Sequence, residues 1–122
     1  MSLSNQKVKV GARAAAILTN SAVATSVQQV PQTIGGKVAV YIDFTLGSLT
    51  NGIFNPQISD DGTNWYDASD PGSITLTATG HKFFVVDCSG AKQFRVQVTG
   101  TGTVTGSSAT VKFGYTVAGG AF

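Results

Sequence analysis

The chain has 122 residues, of which 42% are hydrophobic, only 11% are charged and none is Glu. That length suits a single domain with its own core, and the hydrophobic share excludes a disordered polymer. A formal net charge of +2 is too small to argue for nucleic-acid binding by itself, and no run approaches ~20 apolar residues, so no membrane span is expected.

Residues 1–35 lack aromatics and read differently from the rest. The charges through position 37 are Lys7, Lys9, Arg13 and Lys37, with no acid among them. From Tyr41 onward four basic residues face six Asp. The apolar run from Ala12 to Leu18 is interrupted by Arg13, so it does not read as a signal peptide. Residues 1–35 therefore read as an extended arm or edge strands, suited to pairing with a neighbouring subunit. Residues 36–122 read as the folded domain. A solvated basic tail is the simpler reading of the four cations. The sharper one is an arm laid on an acidic partner surface, with Lys7, Lys9, Arg13 and Lys37 making the contacts.

The domain opens with the clearest strand. Val38, Val40, Ile42, Phe44 and Leu46 fall on one face by the period of two. Lys37, Ala39, Tyr41, Asp43 and Thr45 fall on the other, as expected for an antiparallel sheet with one wet face. A second strand runs from Ile53 to Ser59, where Pro56 predicts an edge or a bulge. Asp60-Asp61-Gly62 is a hairpin signal, and Asn64-Trp65-Tyr66 is the return strand. Ser73 to Ala78 alternates. Phe83-Phe84-Val85-Val86 is apolar on both faces, which predicts a central strand. Phe94, Val96 and Val98 alternate inward, and Val111, Phe113, Tyr115 and Val117 do the same in the last segment. The tail from Ala118 to Phe122 reads as a flexible tether with a terminal apolar anchor. Short strands at this spacing predict an all-β antiparallel sandwich or jelly roll.

Residues able to do chemistry are sparse. His81 is the single histidine, without a nucleophile and orienter at a known spacing. Cys88 is the single cysteine, so no intrachain disulfide and no cysteine-based metal site can form. Asp60, Asp61, Asn64, Asp67 and Asp70 form the densest polar cluster. Calcium is one use for such a set, but the spacing misses the EF-hand pattern, and turn formation accounts for each residue. No enzyme, metal or cofactor is expected. Trp65 and Tyr66, adjacent on a strand, point to opposite faces. Trp65 filling the core behind the hairpin is the leading expectation. A carbohydrate platform built from Asp61, Asn64, Trp65, Tyr66 and Asp67 is the alternative.

The run Ile58-Ser59-Asp60-Asp61-Gly62-Thr63-Asn64-Trp65-Tyr66-Asp67 resembles the S-x-D-G-x-x-W hairpin of discoidin-like (coagulation factor 5/8 C-type) jelly rolls. Gln93-Phe94-Arg95-Val96 resembles a later strand of the same domains, with Gln93 departing from its first Arg. The hairpin is also similar to one in small β-sandwich virion proteins of tailed bacteriophages, and the short Thr/Gly-rich chain with a basic arm looks more like those. That resemblance implies a capsid decoration (cement) protein, often trimeric, bridging capsomers of the major capsid protein. The particle would be assembled in the host cytoplasm. A head–tail or tail accessory role is the nearest alternative within that class.

Overall fold

Val38, Val40, Ile42 and Phe44, which alternation places on one face, are all buried in the computed structural model, which describes residues 6–117. They belong to β4 (Lys37–Thr45). The other strands are β1 (Gln6–Ala16), β2 (Val23–Ala24), β3 (Gln28–Gln29), β5 (Leu49–Ser59), β6 (Trp65–Asp67), β7 (Ile74–Leu76), β8 (Gly80–Asp87), β9 (Gln93–Gly102) and β10 (Ser108–Val117). The chain is an all-β sandwich of two antiparallel sheets. The smaller sheet has the order β1-β10-β4-β8. The larger has β9 and β5 at its centre, with β2 and β3 side by side along β9 and β6 and β7 along β5.

The core lies between the sheets and is closed by two aromatic pairs that cross it. Phe44 on β4 meets Phe54 on β5 edge-on, with ring centroids 5.8 Å apart. Phe113 on β10 meets Phe94 on β9 at 5.0 Å. All four rings are buried, and burial stabilises each by roughly 1.5–3 kcal/mol relative to exposure. Sequence periodicity turns Phe44, Phe94 and Phe113 inward, and the packing of the two sheets sets which ring meets which.

Residues 6–16, expected as an arm or edge strand, form the edge strand β1 along the chain's own β10. Ala12 and Leu18 enter the core, and the segment through Val30 crosses to the larger sheet. Two register shifts, around Arg13, break the regularity of this edge, a common way to discourage strand addition. The tail from Ala118 to Phe122 lies outside the described residues.

Three expectations are corrected. The strand containing Phe83–Val86 is not central: β8 ends the smaller sheet, and Phe83 and Val85 are 54% and 44% exposed. Pro56 is not at an edge: it is buried in the middle of β5. The Pro56 carbonyl accepts the Ala68 N–H, so the Pro56 nitrogen also points to that side, between the β6 and β7 pairings, where no ladder N–H is missed. Trp65 does not fill the core: it is half-buried on the outer face of the larger sheet beneath Arg95, whose guanidinium carbon lies 4.1 Å from its ring centroid.

Candidate binding surfaces

The outer face of the smaller sheet is shaped by its smallest side chains. One cross-strand row runs Lys9, Gly114, Ala39, Val85. Its two central positions offer a hydrogen and a methyl. The next row, Lys112, Tyr41, Phe83, stands taller. The result is a groove of about 480 Å³. Tyr41 leans over Gly114, where a Cβ would lie 2.9 Å from the tyrosine Cε1. Ile34, carried on a short 3-10 turn after Pro31, forms part of the rim and is 44% exposed.

Three of the four cations singled out in the sequence converge here. Lys7 and Lys9 reach the groove from β1 and Lys37 from the start of β4. Among the described residues none of them is in a salt bridge, and no acidic side chain lines the groove. Lys9 Nζ stands 4.1 Å from the Tyr41 ring centroid, and Phe83 packs on the same ring with centroids 5.0 Å apart. Arg13 is not part of this group. Its guanidinium donates to the carbonyls of Ala109, Ala16 and Ile17, tying the irregular end of β1 to β10. Tyr41, Ala39, Val85 and Gly114 were not singled out in the sequence. The outward register of β4 was the signal that could have found the first two.

The groove borders an open strand edge. In an antiparallel strand the N–H and C=O of one residue point to the same side, and sides alternate. Cys88 N–H donates to Gly36, on the β4 side, whereas Asp87 N–H points away and donates to Asp70. The main-chain groups of His81, Phe83 and Val85 therefore face outward from β8 and meet no strand among the described residues.

The hairpin residues are occupied with their own fold. Asp61 accepts from the N–H groups of Thr63 and Asn64 and from the Asn64 side-chain amide. These bonds hold its carboxyl well below the usual range, at about 2. Ser59 Oγ accepts from Gly62 N–H, and Gly62 takes φ 77°, a value that favours glycine. Asp67 accepts from Asn55 and Gln57, which lowers its pKa. Arg95 covers Trp65 and donates to Gln57. Of the five residues of the alternative ligand surface, only Tyr66, 62% exposed, is uncommitted. It stands with Asp60 and Ser89 at a shallow hollow of about 200 Å³.

The groups with intrinsic reactivity do not assemble. Cys88 is buried, and burial first, then the Asp87 charge, push its thiol up to about 12. His81 shares an exposed hydrogen bond with Asp43 on the neighbouring strand. Among the described residues no three His, Cys or Asp side chains converge as a metal site would require.

These observations define a β-sandwich whose notable surfaces are faces and an edge rather than a catalytic cleft. No protein family matches the chain by sequence, and no curated protein does so either. Solved structures do match in fold. The SPBc2 prophage-derived protein YomS aligns at 16% identity with a TM-score of 0.59, over 95% of this chain and 97% of that one. A chain from the Bacillus endospore appendages, disulfide-linked pili, aligns at 12% identity and TM-score 0.54, over 96% and 92%. A chain of infectious bursal disease virus, Gx strain, aligns at 10% identity and TM-score 0.51, over 97% of this chain but 33% of that one. At these identities the likeness is one of fold.

Proposed function

We propose that this chain is a non-enzymatic structural subunit of a bacteriophage virion, a decoration protein that packs on the head and bridges copies of the major capsid protein, as a homotrimer. The carrying observation is the outer face of the smaller sheet. It leaves Phe83, Val85 and Ile34 exposed beside Lys7, Lys9 and Lys37 and beside an open strand edge. Such a surface stabilises an assembly by apolar burial, about 25 cal/mol per Å², repeated at many copies. The end-to-end fold likeness to a prophage-derived protein supports the same reading.

The test is protein mass spectrometry of gradient-purified phage particles from the source cells, before and after a mild denaturant wash that leaves shells intact. A decoration subunit sediments with the particles, is released by the wash, and elutes at three times the monomer mass in light scattering. Absence from the particles overturns the virion assignment, and retention after the wash overturns decoration in favour of a head–tail or tail position. A carbohydrate-binding role is the second reading, supported by Tyr66 beside Asp60, and a glycan array read with Tyr66→Ala checks it.

A further inference from the structure

The groove on the smaller sheet has a chemistry more specific than a generic packing face. Its charges are the ammonium groups of Lys7, Lys9 and Lys37; no acid is in the lining, and Asp87, opposite Lys37 in the β4–β8 register, offsets only that one cation in part. Its floor is apolar and low, because Gly114 and Ala39 occupy the middle of the row. Its apolar wall is Val85, with Ile34 on the rim. An occupant must therefore bring negative charge to the rim and a compact apolar group to the floor.

We propose that this groove docks an extended acidic segment of a partner protein, its carboxylates on Lys7, Lys9 and Lys37 and one apolar side chain seated over Ala39, beside the Tyr41 ring that covers Gly114. The assignment deepens the virion reading, on which it rests only for where the partner is found. Charge complementarity selects an acidic partner over a basic or neutral one. A second copy of this chain is a poorer occupant, because four of its six carboxylates, those of Asp43, Asp61, Asp67 and Asp87, are already hydrogen-bonded within the fold and only Asp60 and Asp70 are not. A nucleic acid would carry the same negative sign and could meet the lysines through its phosphates, but reading its bases relies on aromatic faces for stacking or on Arg forks. Here Lys9 covers one face of Tyr41, Phe83 abuts the ring, and no Arg lines the groove.

The experiment is a selection of random dodecapeptides displayed on a surface against the immobilised full chain, followed by anisotropy measurements on the winning peptides. Asp- and Glu-rich sequences with an apolar residue among the acids are expected. Their affinity should fall at least tenfold in Lys9→Glu/Lys37→Glu and in Ala39→Leu, which fills the floor, and should fall steeply with salt. Lys92→Glu, an exposed change away from the groove, should leave affinity unchanged. Circular dichroism and melting curves confirm that each variant is folded. Selection of neutral or basic peptides overturns the proposal, as does binding indifferent to the groove substitutions or the failure to select any peptide. Displacement of the winners by a single-stranded oligonucleotide at equal concentration assigns the site to nucleic acid instead and also overturns it. Particle sedimentation is read separately, so a groove that selects acidic peptides in a protein absent from particles refutes the virion reading alone.

Discussion

Lys9 on β1 places its ammonium 4.1 Å from the centre of the Tyr41 ring on β4, although β10 lies between the two strands. The contact spans that strand because the intervening position is Gly114, which pairs with Lys9 on one side and Ala39 on the other. A cation over an aromatic face at an exposed site is worth about 0.5–1 kcal/mol. A double-mutant cycle with Lys9→Ala and Tyr41→Leu, measured by urea denaturation, should return a coupling of that size. Gly114→Ala should abolish the coupling by displacing the ring. A coupling indistinguishable from zero would show that the cation and ring do not interact in solution.

The faces that Phe94 on β9 and Phe83 on β8 occupy, one inward and one outward, predict a contrast between two residues of the same type. Phe94→Ala removes a fully buried ring and should cost about 3–5 kcal/mol. Phe83→Ser removes an exposed one and should cost about 1 kcal/mol or less. Equal losses in chemical denaturation would contradict the outward placement of Phe83.

Arg13 should behave as a structural residue, unlike the three lysines. Its guanidinium satisfies carbonyls of both β1 and β10, so Arg13→Ala should destabilise the fold by about 1–3 kcal/mol. Lys7→Ala, on the same strand and solvated, should change stability by less than about 0.5 kcal/mol.

Asp61 gives the fold an acid-sensitive element. Its carboxyl titrates at about 2 in the folded chain, depressed by the N–H groups it accepts, against about 3.9 when unfolded. A depressed folded value means that the stabilisation is complete above about 4 and disappears as pH falls through about 2. Asp61→Ala should therefore melt below the parent protein at pH 6, with the gap narrowing as the pH falls from 4 to 2. A gap independent of pH would assign the loss to turn geometry and not to the charge.

Cys88 should resist alkylation. Its thiol is buried and pushed up to about 12, so little thiolate exists at pH 8. Iodoacetamide should leave the native chain unmodified for hours and label it promptly in denaturant. Prompt labelling of the native chain would show that β8 opens.

The strands of the sandwich were legible where one face is wet and the other dry. The alternation in 37–46, 93–98 and 111–113 reports burial directly, and Phe44, Phe94 and Phe113 fall where it puts them, whereas Tyr115 and Val117, on the same inward register, are only half-buried. Legibility failed where a second force acts on the same residues. Phe83 and Val85 are apolar yet exposed, so periodicity alone read their strand as central. Trp65 is covered by Arg95, thirty positions away in sequence, a contact that no local pattern reveals. Pro56 reads from sequence as an edge or bulge residue because the gap between β6 and β7 that accommodates it is a property of the whole sheet. Three groove cations stood out by sign alone, but the hollow they surround depends on Gly114 and Ala39 sharing a row, which only the register discloses.

The antiparallel pairing of β1 with β10 sets Gln6 opposite Val117, about 5 Å apart by strand geometry. Polypeptide on either side of the sandwich thus issues from one corner, close to Lys7 and Thr116 at the groove. The domain can be spliced into a surface loop of another protein as a pendant without stretching its host.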